Sequence, residues 1–214
     1  MLKKAIIFDM DGTLVDSSLA LSGAINHVRE QLHLPPLKHA DILSKINDHT
    51  LNSAQYFYKS KYFLPEHQKW FSNYYSANHH KELVLYDGIK ELLQLLKEND
   101  LKLAVATNAY RNSAIESLVH LDIHDCFDAV VCFDDVKEGK PSPQMLERIT
   151  ELFSLETEHA LFVGDGERDQ MAAKRAGMDY IMVSWGFSRH DSSAVNSVEQ
   201  LKEILLNFKA GLDV

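Results

Sequence analysis

The sequence predicts an α/β protein with a parallel sheet that helices cover on both faces. After residue 88, short apolar runs of strand length alternate with amphipathic stretches of helix length, and this alternation is typical of a parallel sheet. One more apolar run, Ala5–Phe8, lies near the amino terminus and predicts a strand buried on both faces. The long stretch between these two parts shows helical patterns only. We therefore expect an all-helical segment inserted after the first strand.

The elements follow each other in a regular order. Asp16, Ser17 and Ser18 are suitable caps for a first helix, and Pro35 and Pro36 end it. One helix is predicted at the start of the inserted segment, over 19–32. After the inserted segment, helices are predicted over Ile89–Glu98, 112–121, 143–153, 168–176 and 197–206. Strands are predicted over Ala5–Phe8, Lys102–Ala106, 129–133, 160–163 and 180–183.

The later part of the inserted segment carries many aromatic residues at helical spacing. Such spacing is typical of the core of a small helical bundle rather than of a ligand-binding box. Pro65 predicts a break and a restart of the helix. The aromatic residues are Tyr56, Phe57, Tyr58, Tyr62, Phe63, Trp70, Phe71, Tyr74 and Tyr75.

Composition argues against several classes of function. There are 22 basic and 31 acidic residues, and the net charge of −9 disfavours a nucleic-acid-binding surface. No run of eighteen apolar residues occurs, and the amino terminus leads into the first strand instead of a signal sequence. Cys126 and Cys132 are too few for a disulfide framework. We therefore expect a cytoplasmic monomer or homodimer with reduced cysteines and without nucleic-acid or membrane partners.

Two carboxylates, Asp9 and Asp11, follow the first strand directly. Ligands of open α/β sheets bind at this end of the strands. A carboxylate can attack phosphorus to form an aspartyl-phosphate, and a neighbouring carboxyl group can protonate the leaving oxygen and later activate water. Two like charges at close range also require a hard cation. Gly12 permits a sharp turn or a close approach of the backbone to a ligand. The alternative interpretation of residues 9–13 is an ordinary Asx-rich turn at the end of a strand.

Residues 9–17 resemble the first signature of the haloacid dehalogenase superfamily, in the form that its phosphatases use. Three further signatures of that family follow in order, each after or near a predicted strand. They are Thr107-Asn108, Lys140-Pro141 and the acidic pair Asp165 and Asp169. The resemblance covers nearly the whole chain, and it is strongest to the phosphoglycolate phosphatase and β-phosphoglucomutase-like branch.

Each later signature also has a simpler explanation when it is taken alone. Thr107 would be a helix N-cap, and Lys140 an exposed loop lysine. Asp165 and Asp169 would complement the positive end of a helix. Four such coincidences in the family's order do not explain the set, so we discard the simpler explanations for the set as a whole.

The resemblance implies a Rossmann-like core and a helical cap. The core would comprise residues 1–16 and 84–214, and the cap residues 17–83, with hinges near 15–16 and 83–85. Closing a cap excludes water from a site, strengthens its electrostatic interactions and selects substrates by size.

The resemblance also implies a role for each signature residue. Asp9 would be the nucleophile and Asp11 the general acid and then base. Mg²⁺ would be held by Asp9, the Asp11 backbone carbonyl and Asp165, with Asp169 as a further ligand or as a partner that orients metal-bound water. The phosphoryl group would be held by Thr107, Asn108, Gly12 and Lys140, and Lys140 would also neutralise the nucleophile.

The reaction implied is Mg²⁺-dependent hydrolysis of a small phosphorylated metabolite, as in phosphoglycolate phosphatases. A sugar phosphate, a nucleotide monophosphate and pyrophosphate also stay open as substrates. A β-phosphoglucomutase-like phosphomutase shares all four signatures, and a non-catalytic relative that binds a phosphometabolite or a protein is another alternative. Dehalogenation is disfavoured, because it works without metal and lacks the acid that Asp11 supplies.

Two residues on the predicted cap loop are candidates for substrate specificity. Lys45 and His49 would contact the non-reacting end of a substrate, while an equally good interpretation makes them solvated residues at a helix end. A phosphonatase would place a cap lysine in the site, and Lys45 leaves an opening for that activity.

Overall fold

The computed structural model describes residues 2–46, 48, 50–187 and 192–210. In chain order, the strands are β1 (Ala5–Phe8), β2 (Val15–Asp16), β3 (Val84–Leu85), β4 (Lys102–Ala106), β5 (Ala129–Val131), β6 (Ala160–Gly164) and β7 (Asp179–Met182). The helices are α1 (Ser18–Gln31), α2 (His39–Ile46), α3 (Ser53–Tyr58), α4 (Pro65–Glu82), α5 (Ile89–Glu98), α6 (Arg111–His120), α7 (Gln144–Phe153), α8 (Glu167–Ala176) and α9 (Val198–Ala210).

Five of the strands form a parallel sheet in the order β5-β4-β1-β6-β7. Successive residues of a strand point to opposite faces, so β1 contributes Ile6 and Phe8 to one apolar core and Ala5 and Ile7 to the other. Helices α5, α6 and α9 cover the first face, and α7 and α8 cover the second. The predicted α/β class with a parallel sheet is confirmed.

Strand β5 is shorter than predicted. It ends at Val131, although the apolar pattern extends through Phe133. The Asp135 carboxylate accepts a hydrogen bond from the Cys132 N–H at 2.8 Å, and the chain turns there into a short 3-10 helix. A side-chain contact thus ends a strand that the hydrophobic pattern alone would continue.

Strands β2 and β3 pair with each other in antiparallel orientation, apart from the main sheet. Val15 lies opposite Leu85, and Asp16 lies opposite Val84. The pair therefore joins the two places where the chain enters and leaves the helical segment. The sequence predicts hinges here but no strands, because two-residue strands show no periodicity.

The helical segment packs around its own apolar cluster. Phe57 and Tyr58 belong to this cluster with Ile42 of α2, as the aromatic spacing predicts. For Tyr62 and Phe63 the prediction is wrong, since both side chains are exposed. Tyr75 and Leu83 lie near the point where the chain leaves the helical segment, and they belong instead to the core of the sheet. The division into core residues 1–16 and 84–214 and cap residues 17–83 stays a prediction. None of the helices in the described part of the chain combines the length and apolar character that a membrane crossing requires.

Candidate active site

Three carboxylates meet at the carboxyl edge of the sheet. Asp9 follows β1 and Asp165 follows β6, and these two strands are neighbours in the sheet. Asp169 reaches the same place from the first turn of α8, and all three residues are buried. One carboxylate oxygen of each lies within 4.8 Å of the others. We call these three residues the acidic cluster.

The Lys140 ammonium lies against the acidic cluster. Its Nζ donates to Asp9 Oδ1 at 2.5 Å and to Asp169 Oδ1 at 2.7 Å. The lysine is itself buried, and Nζ lies 5.4 Å from the centroid of the Phe162 ring. Lys140 therefore balances one negative charge and fixes the orientation of the Asp9 carboxylate.

Burial and charge repulsion shift the pKa values of these groups. Burial raises the pKa of Asp9 well above its ordinary value against the opposing effect of Lys140, and the carboxylates of Asp169 and Asp165 raise it further. Burial alone would lower the pKa of Lys140, but Asp169 and Asp9 hold it above its ordinary value. Three carboxylates facing one ammonium leave a site that favours an additional cation.

The acidic cluster fits a divalent cation by both its donor atoms and its charge. Carboxylate oxygens are the ligands that Mg²⁺ prefers in proteins, and two positive charges would neutralise the excess that Lys140 leaves. The side chains suited to hold such an ion are Asp9, Asp165 and Asp169. The Asp11 carboxylate is not part of this cluster.

Asp11 lies beside the acidic cluster with a partner of its own. Its Oδ1 accepts a hydrogen bond from the Ser17 hydroxyl at 2.5 Å. Burial raises the pKa of Asp11, while Ser17 and Lys140 oppose that shift. A raised pKa favours the protonated carboxyl group, which is the form that a general acid requires. The sequence suggests Ser17 only as a cap, yet its side chain makes no capping hydrogen bond to α1.

Thr107 and Asn108 begin the loop after β4 and contact different partners. Thr107 is buried, and its Oγ1 accepts a hydrogen bond from the Ala109 N–H at 3.0 Å, so its hydroxyl can still donate. The Asn108 side chain accepts from the Lys140 N–H at 2.8 Å and donates to the Lys140 carbonyl at 3.0 Å. These two hydrogen bonds hold the Asn108 side chain against the Lys140 backbone, and the phosphate contact predicted for Asn108 stays a prediction.

The loop after β7 closes over Asp165. The Phe187 N–H donates to Asp165 Oδ2 at 3.0 Å, and a Cβ added at Gly186 would lie 2.3 Å from the same oxygen. A Cβ at Gly12 would lie 2.4 Å from it, and Gly12 also has a positive φ of 88°. Glycine at these two positions thus lets the backbone approach the Asp165 carboxylate. No local sequence pattern marks the Phe187 contact, because the loop that carries it follows a different strand.

The predicted specificity loop contacts the first turn of α8 through Arg168, a residue that no sequence pattern singles out. Lys45 lies in the last turn of α2, and its Nζ is 3.2 Å from Asp48 Oδ2. The Asp48 carbonyl accepts a hydrogen bond of 3.4 Å from Nη2 of Arg168, the residue before Asp169. His49 lies outside the described residues.

Comparison with known proteins places the chain in a family. The family model of haloacid dehalogenase-like hydrolases matches residues 6–183. The chain is 30% identical over 217 residues to a phosphoglycolate phosphatase of Chromobacterium violaceum, covering 95% of this chain and 97% of that protein. It is 26% identical to the pyrophosphatase PpaX of Halalkalibacterium halodurans, covering 87% of this chain and 86% of that protein.

A solved structure shares the fold. The crystal structure of a predicted phosphatase from Clostridium acetobutylicum matches this chain with a TM-score of 0.83 and 24% sequence identity. The match covers 97% of this chain and 100% of that chain. The family match and the full-length relative agree with the resemblance that the four signatures predict, which is therefore confirmed. The chain thus belongs to the haloacid dehalogenase-like hydrolase family, as a phosphatase of that family.

Proposed function

We propose that the protein is a Mg²⁺-dependent hydrolase of a small phosphomonoester, acting through an aspartyl-phosphate on Asp9. The observation that carries this proposal is the convergence of Asp9, Asp165, Asp169 and Lys140 in one buried site. Phosphoryl transfer depends mainly on positioning and charge stabilisation. A dianionic phosphate can approach carboxylates only where their charge is compensated, and Lys140 supplies part of that compensation.

In the first step, an Asp9 carboxylate oxygen attacks phosphorus while the bond between phosphorus and the leaving oxygen breaks. Lys140 orients the Asp9 carboxylate and offers positive charge to the transferring group. Asp11 gives its proton to the leaving oxygen, so that a neutral hydroxyl group departs. The Thr107 hydroxyl and the Asn108 N–H donate to phosphoryl oxygens. When bound, Mg²⁺ neutralises charge on the phosphoryl group and the nucleophile.

In the second step, water attacks the phosphorus of the aspartyl-phosphate. Asp11, now ionised, takes the proton of that water. The bond between phosphorus and the Asp9 oxygen breaks, which releases inorganic phosphate and restores the Asp9 carboxylate. One residue thus acts as acid and then as base, and its partly buried position beside Ser17 suits both roles.

We assign Mg²⁺ to Asp9, Asp165 and Asp169, with the Asp11 backbone carbonyl as a further ligand. Residues 17–83 act as the cap over this site in the proposal, and residues 1–16 and 84–214 form the core. Phosphoglycolate is the phosphomonoester that we propose first, and the anhydride pyrophosphate is the second candidate substrate, because relatives named for them match most of the chain. We also propose that the protein acts in the cytoplasm, as a monomer or homodimer without nucleic-acid or membrane partners.

Hydrolysis of p-nitrophenyl phosphate tests the proposal directly. We expect turnover that EDTA abolishes and that added Mg²⁺ restores. Asp9→Asn should reduce kcat by more than about 1,000-fold, since it removes the nucleophile. The control Asp100→Asn changes an exposed aspartate whose positive φ asparagine tolerates, and it should leave kcat unchanged. Equal turnover in Asp9→Asn and wild type would contradict the assignment of the nucleophile.

Further measurements separate the alternatives and test the metal assignment. Mass spectrometry of rapidly quenched enzyme should show a transient phosphoryl adduct on Asp9 that decays as phosphate appears. An adduct that persists without phosphate release would indicate a phosphomutase instead. Binding of phosphate without turnover of any phosphomonoester would indicate a non-catalytic relative. A melting temperature that rises with Mg²⁺ in wild type, but not in Asp165→Asn, tests the metal assignment independently of activity.

A further inference from the structure

We propose that Arg168 binds a second anionic group of the substrate, on the part that is not transferred. This inference deepens the proposed function and rests on it. It identifies the substrate class as phosphate esters or anhydrides that carry another carboxylate or phosphate a few atoms from the reacting phosphorus. Phosphoglycolate and pyrophosphate both belong to this class.

The Arg168 guanidinium has unused hydrogen-bonding capacity in a partly buried place. An arginine side chain carries five N–H donors. Nη2 makes one long hydrogen bond of 3.4 Å to the Asp48 carbonyl. Nε is buried and has no hydrogen-bond partner among the residues that the structure describes. A buried cation with unpaired donors lowers the stability of the folded protein. We therefore explain the presence of such a cation at the edge of the active site by a role in binding.

The two carboxylates whose charges raise the pKa of Arg168, Asp169 and Asp48, already have other partners. Asp169 pairs with Lys140 at 2.7 Å. The Asp48 carboxylate accepts from the Thr50 hydroxyl at 2.6 Å and lies 3.2 Å from Lys45 Nζ. Neither acid therefore makes an ion pair with Arg168, and its positive charge stays available to an incoming anion.

Two other arginines of this chain, one buried and one partly exposed, show the contrast. Arg29 is buried, and its guanidinium donates to the Pro35 carbonyl at 2.8 Å and to the Phe57 carbonyl. Arg111 donates to both carboxylate oxygens of Asp135. The fold satisfies these two guanidinium groups internally, whereas among the described residues Arg168 makes a single long hydrogen bond.

The location of Arg168 fits the far end of a short substrate. It precedes Asp169 of the acidic cluster on α8, and its guanidinium reaches the loop after α2. A substrate that places its phosphoryl group at Asp9 would therefore direct its other end toward this border between core and helical segment. Burial lowers the pKa of Arg168, although Asp169 and Asp48 oppose that shift, and an arginine remains protonated even so. Its planar fork suits bidentate binding of a carboxylate or phosphate.

The test compares substrates that differ only in the second anion. Phosphoglycolate and ethyl phosphate have similar size, but ethyl phosphate lacks the carboxylate. We expect Arg168→Gln to lower kcat/KM for phosphoglycolate by about 30-fold, mainly through KM, because a charge-assisted hydrogen bond typically contributes that much. For ethyl phosphate and p-nitrophenyl phosphate the change should stay below about threefold. Arg168→Lys should recover part of the loss, since it keeps the charge without the fork.

A matched control and a binding experiment complete the design. Lys174→Gln removes one positive charge from the exposed side of the same helix and should leave both substrates unaffected. In the Asp9→Asn background, calorimetry should show that Arg168→Gln weakens phosphoglycolate binding to a similar extent as KM rises. Calorimetry reports on the second anion without turnover.

The outcomes separate this inference from the proposed function. If wild type hydrolyses no phosphomonoester, the proposed function fails first, and calorimetry alone then decides on Arg168. If wild type is active but Arg168→Gln lowers kcat/KM equally for phosphoglycolate and ethyl phosphate, Arg168 has a general structural role and the inference is wrong. Unchanged phosphoglycolate kinetics and binding in Arg168→Gln would also overturn it.

Discussion

The carboxyl edge of the sheet and the helical segment between residues 18 and 82 use burial in opposite ways. At the sheet edge, Lys140, Asp9 and Asp169 are buried as charged groups and contact each other directly. In the helical segment, the buried cluster consists of aliphatic and aromatic residues such as Ile42 and Phe57. Charges held in a dry pocket act strongly on a substrate, whereas an apolar cluster mainly stabilises its own packing. Substitutions in the two regions should therefore have different consequences.

Of the substitutions that compare the two regions, Lys140→Met should have the largest effect. Lys140→Met keeps the length of the side chain but removes the charge that the nucleophile and the phosphate both require. We expect kcat/KM for p-nitrophenyl phosphate to fall about 1,000-fold. Lys137→Met, on the exposed part of the same loop, is the control. A loss below tenfold would show that the buried ammonium is a structural group and would remove the contrast between the two regions.

The helical segment should respond in stability rather than in chemistry. Ile42 is fully buried in its cluster, so Ile42→Ala should lower the free energy of unfolding by about 3 kcal/mol. Ile42→Val should cost about 1 kcal/mol. Urea unfolding measures both changes. While the variants are folded, kcat for p-nitrophenyl phosphate should change less than about threefold; a larger loss in Ile42→Val would mean that packing in this segment controls the chemical step.

Asn108 tests whether a side chain at the sheet edge acts on the substrate or through Lys140. Because its amide makes two hydrogen bonds to the Lys140 backbone, Asn108→Ala should displace the ammonium and lower kcat by about 30-fold, within the range known for small misplacements. KM should stay nearly constant. A rise in KM at constant kcat would instead indicate that the side chain holds the phosphate itself.

The smallest effect is expected at Asp135, which forms a structural ion pair with Arg111. Burial acts to raise its pKa, but Arg111 and the Cys132 N–H together hold the pKa below its ordinary value. Asp135→Asn should therefore lower the free energy of unfolding by about 1 kcal/mol at neutral pH. A depressed carboxyl pKa contributes stability above the unfolded pKa of about 4 and loses it as the pH falls through the folded value.

Urea unfolding at several pH values checks the sign of that contribution. The difference between wild type and Asp135→Asn should be constant from pH 6 to 8 and should shrink below about pH 4. Asp125→Asn, at a fully exposed side chain, serves as the control. A difference that grows toward low pH would contradict the pKa direction.

Much of the fold follows from local patterns in the chain. A strand such as Ala5–Phe8 is apolar throughout because both its faces are buried, and this feature is visible without any tertiary information. The polar residues that follow such runs lie at the carboxyl edge of the sheet by topology alone. Asp9, Thr107 and Asp165 were selected on that basis together with the family's signatures, and the structure places Asp9 and Asp165 in one cluster.

Other features depend on contacts between distant parts of the chain. Ser17 looks like a helix cap in the sequence, but in the structure it donates to Asp11. Tyr62 and Phe63 share the aromatic spacing of their neighbours, yet they lie on the exposed side of the segment. Periodicity reports which side of an element is apolar, but it does not report whether another element covers that side.

By itself, the sequence determined the α/β class, the order of the strands of the main sheet and the helices between them, and the family, because each depends on local hydrophobic periods and short motifs. The tertiary structure decided how side chains meet across long separations along the chain. Lys140 contacts Asp9 across 131 positions, and Arg168 reaches the Asp48 carbonyl across 120. Hydrogen bonds act over about 3 Å, so loop conformations that no local pattern encodes determine which charged groups contact each other.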